Sequence, residues 1–422
     1  LSLAGFPYRA SGSERQPLSL AAVQGAVLWL MVFSGWFVII EPAPYELLFV
    51  FTLVVFIPAG LRIVPVVVPL VVFLVLYNLG GAISLMPVLA DRDAVTFVTI
   101  SFYMGATAVF FAFLIAGNPL RHMATIRNAW IVSGVFASLT GIAGYFDIAG
   151  TGAAWAPISR AQGTFKDPNV LSTYIIPPAI FIIQNFLLAR VRWRVLSIVA
   201  LVIILAGIFL AFSRGAWANA AAAVMSLFFL TFIVSPSIKA RSRVIFIAIA
   251  CAIGAAGLIS FALSFEKVRS IFEIRALLVQ SYDGGETGRF GDQVRSISLL
   301  ISRPDGLGPL QYRHYFGNDP HNVYLNAFAS YGWLGGFSYL LLVCSTFAIA
   351  WRAVFTASPW QHHAIAIASP LIFTVFQGVQ IDTDHWRHFY LMLGLLWGLY
   401  AATVAAPQAL RAARLDPVTG GK

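Results

Sequence analysis

Charge is what this chain has least of. Asp, Glu, Lys and Arg make up 10% of its 422 residues, against 59% hydrophobic ones. A soluble domain carries about 25% charged residues, and the shortfall here runs the whole length of the sequence. That excludes a soluble protein of two or three domains. It fits an all-α, polytopic transmembrane helical bundle, one domain over residues 1–422. Cysteine is scarce too: Cys251 and Cys344 stand in apolar stretches, so no disulfide framework is indicated. A Walker loop, a dinucleotide fingerprint and a nucleophile elbow are absent. Chemistry driven by cytosolic nucleotide is therefore not indicated. No internal repeat or low-complexity tract stands out.

The net charge of +10 suggests nucleic acid at first sight. The basic residues instead sit in short segments between apolar runs, as in the cytoplasmic loops of membrane proteins. Leu1 to Pro17 is polar and basic, and Leu18 opens an apolar run of about 23 residues. That run is too long for a signal-peptide core and has no small-residue cleavage site, so it is expected to be the first span. The chain begins with Leu, and a few residues are expected to precede it. A span needs about 20 mostly apolar residues, and roughly twelve stretches fit. They are 18–40, 45–60, 64–87, 95–117, 128–146, 169–189, 194–211, 215–234, 244–263, 322–351, 363–380 and 386–406.

With the N-terminus inside, the inner segments hold Arg9, Arg15, Arg62, Arg121, Arg127, Arg190, Arg192, Arg194, Lys239, Arg241, Arg243, Arg352, Arg411, Arg414 and Lys422. The short outer loops hold only Arg92, Arg160, Lys166, Arg214 and Arg387. This bias of about three to one predicts both termini in the cytoplasm. It also puts Arg160, Lys166, Arg214, Arg289, Arg313, His321, Arg387 and His388 on the outer face. They either converge on one electropositive pocket or are unrelated loop charges.

The long outer segment, residues 264–321, has its own pattern. Glu266 to Gln280 has helical apolar spacing at Val268, Ile271, Phe272 and Leu278, and Ser281 to Gly285 breaks it. From Arg289 to Arg303, Phe290, Val294, Ile297 and Ile301 share one helical face, and Arg289, Asp292, Gln293 and Ser296 share the other. Such a helix can lie on a membrane surface with its polar face toward lipid headgroups. Pro304 and the Gly306-Leu-Gly308-Pro309 turn end it.

Several of these residues could carry chemistry. Arg214, between two apolar runs, suits a bidentate grip on a phosphate oxygen; the plainer reading is an interfacial arginine reaching headgroups. His321 follows Asp319 and Pro320, which predict a helix start with Asp319 as cap and His321 in its first turn. The positive helix end there disfavours the protonated ring, so a neutral imidazole could take a proton from a sugar hydroxyl. The plainer reading is an interfacial histidine bonded to a backbone carbonyl. Arg160 and Lys166 could hold phosphate or sugar, or belong to a plain capped loop with a helix start near Pro168. Asp382, Asp384 and His388 could hold a divalent ion, but their spacing matches no strong metal signature. A helix cap beside an interfacial Trp is the plainer reading. An outer-face site without nucleotide must use a substrate already activated. A sugar on a lipid pyrophosphate is one, because cations can neutralise its diphosphate leaving group.

Five segments recur in one known order: Gly163-Thr-Phe-x-Asp-Pro-Asn169 before a span, Ser213-Arg-Gly-Ala-Trp217 at a span start, Gly288-Arg289 in the long outer loop, Gly306-Leu-Gly308, and His321-Asn322 followed by Tyr331-Gly-x-Leu-Gly335. Across about residues 159–340 the chain resembles the O-antigen ligase and polymerase family, membrane glycosyltransferases of the GT-C type. The resemblance implies transfer of a glycan from undecaprenyl pyrophosphate to an acceptor hydroxyl, at the periplasmic face of the bacterial inner membrane. It carries pyrophosphate binding onto Arg214 and Arg289 and the role of base onto His321. It further implies inversion at the anomeric carbon and no metal or other cofactor. Arg160, Lys166, Arg313, Asn322, Arg387 and His388 are the expected further substrate contacts. Lipid A-core as acceptor would make the chain a ligase. Another lipid-linked repeat or growing chain would make it a polymerase of O-antigen, capsule or exopolysaccharide. A lipid-linked glycan flippase or other transporter is the rival from another class. It should carry charges along a path through its spans, or a repeat, whereas this chain keeps its charges at the faces.

Overall fold

The structure is a computed structural model that describes residues 19–40, 42–58, 60, 61, 63–277 and 288–415, with side chains to residue 406. Arg9, Arg15, Arg62, Leu278, the Ser281–Gly285 break and Lys422 lie outside the described residues, as do the side chains of Arg411 and Arg414. Among the described residues the regular elements are all helices.

Eight helices of the described residues are long and apolar enough to cross a membrane. They are Pro65–Val88, Arg92–Gly117, Pro119–Tyr145, Pro168–Leu187, Arg214–Val234, Ile238–Leu263, Val323–Phe355 and Arg387–Ala406. Leu20–Ser34, Pro44–Phe56 and Arg194–Leu210 are shorter apolar helices, and Gln361–Gln377 is a further short one. Every apolar stretch read from the sequence coincides with one of these helices.

Local chemistry sets the helix starts. Asp167 caps the helix at Pro168, its carboxylate accepting the N–H of Asn169, as expected there. Ser213 caps Arg214–Val234 through the N–H of Ala216. The stretch 169–189 is interrupted: Pro168–Tyr174 ends at Ile175 and a second helix runs over Ile176–Leu187. Pro177 and Pro178 have no N–H to continue the ladder, so the chain restarts there.

At the centre, the Arg387–Leu415 helix packs along Arg92–Gly117, and Val323–Phe355 along the helix ending at Leu85. Val323–Phe355 is broken at Gly332, with φ 63° and ψ −170°. The break frees backbone groups that the loop before it satisfies. Leu307 N–H donates to Ala329 O at 2.7 Å and Trp333 N–H to Pro304 O at 2.8 Å. Gly306, at φ 81°, makes this approach possible: a Cβ there would lie 2.7 Å from Ala329 O. Tyr331, just before the break, stacks on Tyr77 at 4.1 Å.

Among the described residues the polar segment 264–321 contributes three helices, Glu266–Arg275, Arg289–Ile301 and the short Tyr312–Phe316. In the second, Phe290, Val294, Ile297 and Ile301 are exposed, while Asp292, Ser296 and Leu300 are buried. The two-faced pattern therefore holds, but the polar face is not turned to headgroups. Asp292 and Ser296 pack against protein, where Tyr312 Oη donates to Asp292 O at 3.1 Å. Trp333 Nε1 donates to Leu300 O at 3.0 Å, pinning the end of this helix to the turn after the break.

Gly332→Ala should be strongly destabilising. A Cβ there would fall 2.6 Å from Pro304 O, in a backbone region that costs a non-glycine residue roughly 1–3 kcal/mol before any clash. Thermal unfolding of the purified protein in detergent should show a clear drop in midpoint.

Candidate active site

His321 stands in the loop ahead of the Val323–Phe355 helix. Asn322, rather than Asp319, caps that helix: its side-chain oxygen accepts the N–H of Tyr324 at 3.0 Å and of Leu325 at 3.2 Å. Asp319 instead accepts two hydrogen bonds from the Arg313 guanidinium, at 3.0 and 3.1 Å. Pro320 does not start the helix, and His321 lies just before the cap, two residues ahead of Val323, rather than in the first turn. Its backbone has φ 45°, a left-handed conformation that costs a non-glycine residue energy. Three bonds hold it. Asn322 N–H donates to Asp382 Oδ1 at 3.0 Å, Gln293 Nε2 to Pro320 O at 2.9 Å, and Val323 N–H to Gly378 O at 2.8 Å.

The His321 imidazole is half exposed, and its Nδ1 lies 4.0 Å from Asp382 Oδ2. Partial burial, with the Arg289 charge second, holds it below the ordinary histidine range; Asp319 and Asp167 pull weakly the other way. Burial, then Asp384 and Asp319, push the Asp382 carboxyl well above the usual carboxylate range. At 4.0 Å the pair is not hydrogen bonded, and Nδ1 is the ring nitrogen on the Asp382 side.

The arginines approach from separate elements. Arg289 is the first residue of Arg289–Ile301, and its guanidinium also lies over the Phe290 ring at 5.1 Å. Arg214 opens Arg214–Val234, and its Nη1 donates to Leu277 O at 2.8 Å. Behind it, Gly215 rests on Gln377, part of a buried polar set in which Asn219 Nδ2 donates to Gln377 Oε1 at 2.9 Å and Thr374 Oγ1 at 3.1 Å. Arg160 is buried. Its Nε donates to Ala211 O at 2.8 Å and its Nη2 to Asn169 Oδ1 at 3.1 Å. The Arg160 loop is thereby stitched to the segment that carries Arg214. Lys166 is exposed on the same loop, next to Asp167, whose charge reaches His321. The structure thus brings the Arg160–Asn169 loop, Arg289 and His321 into one neighbourhood, with Arg214 joined to it through Ala211.

The other expected contacts are otherwise engaged. Arg313 is exposed and held by Asp319. Arg387 donates its Nε to Glu46 Oε1 at 2.6 Å, and a second nitrogen meets the same oxygen. His388 is buried, its ring 5.8 Å from Tyr174 and 5.3 Å from Trp386. Asn322 spends its side-chain oxygen on the helix cap.

Beside His321, a cavity of about 150 Å³ is lined by Asp319, Pro320, Asn326, Asp382, Asp384 and Trp386 among others. Its floor is a polar chain: Ser330 Oγ donates to Asn326 Oδ1 at 2.8 Å, and Asn326 Nδ2 to Asp384 Oδ2 at 3.0 Å. Among the described residues no group of three or more His, Cys, Asp or Glu side chains could hold a metal ion. Sequence reasoning did not find Asp382 as the neighbour of His321, nor Gln293, nor Glu46 as the partner of Arg387. The available signal was sign: Asp382 and Glu46 are acids at span ends on the same face as the cations they meet.

Residues 199–340 match the family model for O-antigen ligase. Over that stretch the chain is similar to the O-antigen ligase family. No curated protein matches the chain. The matched stretch contains Arg214, Arg289, Arg313, His321 and Asn322, whereas Arg160, Lys166, Arg387 and His388 lie outside it.

The Arg387–Glu46 pair has a separable role. Arg387→Ala leaves a largely buried carboxylate without its partner, which costs more than the roughly 1–3 kcal/mol of an unsatisfied neutral group. A matched apolar pair, Arg387→Met with Glu46→Leu, should recover much of that loss. Thermal unfolding of the two variants checks this.

Proposed function

We propose that the chain is an O-antigen ligase-like glycosyltransferase. It moves a glycan from undecaprenyl pyrophosphate to an acceptor hydroxyl on lipid A-core, at the periplasmic face of a bacterial inner membrane. The observation that carries this reading is the His321 imidazole, held neutral beside Arg289 and facing Asp382, within the stretch similar to the O-antigen ligase family. Arg214 and Arg289 bind the diphosphate, and Arg160 and Lys166 extend the positive rim. The acceptor oxygen attacks the anomeric carbon from the side opposite the diphosphate, so the configuration inverts. The bond from that carbon to the diphosphate oxygen breaks, and its electrons leave with the diphosphate, where the guanidinium groups offset the developing charge. The hydroxyl proton passes to His321, and Asp382 faces the imidazolium that results. This chemistry asks for no metal.

The helices support a twelve-span bundle over residues 1–422 with both termini in the cytoplasm. If consecutive apolar helices cross in alternation, every acidic residue of the described chain falls at the His321 end. The opposite end then holds Arg121, Arg127, Arg190, Arg192, Arg194, Lys239, Arg241, Arg243 and Arg352, as expected of a cytoplasmic face. The exposed apolar side of Arg289–Ile301 supports placing that helix at the outer membrane surface.

Purified protein, given a lipid pyrophosphate-linked oligosaccharide with EDTA present, should glycosylate lipid A-core. Elongation of the lipid-linked repeat instead would identify a polymerase, and no product with either acceptor would remove the transferase reading. His321→Ala should lower the rate by roughly 10²–10⁴-fold, the usual worth of a general base, and Arg289→Ala should also impair transfer. Unchanged transfer in both variants would show the site to be misassigned.

The pH profile gives a second check. The working form is the neutral ring, whose pKa lies below the ordinary 6.5. Transfer should therefore persist as the pH falls to about 6.5 and decline only below it, as the ring takes up a proton. Arg289→Gln removes a like charge, so the acidic limb should move to higher pH.

A further inference from the structure

The helix ends remote from His321 contain a second charged cluster, which the transfer reading does not use. There Pro119–Tyr145, Pro168–Leu187 and Gln361–Gln377 meet. Arg127 Nη1 donates to Asn185 Oδ1 at 3.4 Å, and its Nε and Nη2 both reach Asn128 Oδ1 at 3.2 Å. Arg190 N–H donates to Asn185 O at 2.9 Å, folding the following loop back over the same place. Gln184 Nε2 donates to His362 O. The Arg190 charge is felt at Arg127, His362 and His363, and the Arg127 charge at His363. No acidic side chain takes part in these interactions.

Two observations separate this cluster from a generally basic face. His363 is 5% exposed, and its Nδ1 is buried without a hydrogen-bond partner. Gln361–Gln377 also begins here with no side-chain cap, so its positive end adds to the same potential. Like charges gathered in a partly dry seam repel one another unless an anion lies between them. Planar guanidinium donors and an imidazole N–H together suit a phosphoryl group, which accepts several hydrogen bonds at once.

We propose that Arg127, Arg190, His362 and His363 form a phosphoryl-binding site at the end of the bundle opposite the candidate active site. The Gln361–Gln377 helix alone spans about 25 Å at 1.5 Å per residue, so this anion is not the leaving group of the transfer. Either an anionic lipid headgroup or a free phosphate would supply the same chemistry.

Thermal unfolding of the full chain in an uncharged detergent tests the site. Sodium phosphate is compared with sodium chloride at matched ionic strength, and micelles doped with phosphatidylglycerol are compared with phosphatidylcholine. A raised midpoint with phosphate identifies a free anion, one with phosphatidylglycerol alone identifies a headgroup, and either supports the site. Arg190→Gln changes an exposed side chain, so it should fold and weaken the apparent affinity by about tenfold, the worth of one charge-assisted hydrogen bond. Arg127→Gln and His363→Asn should remove the shift, while Lys239→Gln, away from the seam, should leave it intact. The proposal fails if neither anion raises the midpoint above its control. It fails equally if Arg190→Gln leaves the shift unchanged, or if Lys239→Gln weakens it as much.

Discussion

A helix in hydrocarbon cannot be cut without giving its freed backbone groups new partners. The bundle meets that constraint at Gly332. Ala329 O and Trp333 N–H, which a continuous helix would satisfy internally, are taken by Leu307 and Pro304. The polar loop is therefore part of the helix's own hydrogen bonding, and its end at residue 309 is fixed against the bundle. That anchorage sets where the chain re-enters at Pro320, and so where His321 stands. Without the break, the loop would have nothing to bond to at that depth.

The same economy governs the charges. Asp319 holds Arg313, Glu46 holds Arg387, and Asp382 receives the Asn322 N–H while facing His321. Three acids from three separate segments thus engage two of these cations and the backbone beside His321. The cations nearest His321 come from the Arg160 loop, the start of Arg214–Val234 and the start of Arg289–Ile301. They belong to separate elements, so their spacing depends on the whole bundle.

Much of this was legible in the sequence because hydrophobic length and helix caps are local properties. The apolar stretches, the start at Pro168 and the two-faced pattern of Arg289 to Ile301 depend on neighbours within a turn or two. The helix start near His321 was misread for an equally physical reason. Asp319 and Asn322 are both good caps, and the helix starts from Asn322, whose backbone N–H is held by Asp382, sixty residues on. Asp382 as the neighbour of His321 and Glu46 as the partner of Arg387 were illegible on the same ground: each pair is separated by dozens to hundreds of residues. Arg313, Arg387 and His388 were expected on one face, but a common face does not specify what a side chain meets.

The Arg289–Ile301 helix carries its apolar residues outward, yet Gln293 on the same helix holds Pro320, the residue before His321. The loop of His321 is thus held from two sides: by the bundle, through Asp382 and Gly378, and by this two-faced helix, through one side-chain amide. A shift of the Arg289–Ile301 helix would be passed along that amide to the imidazole.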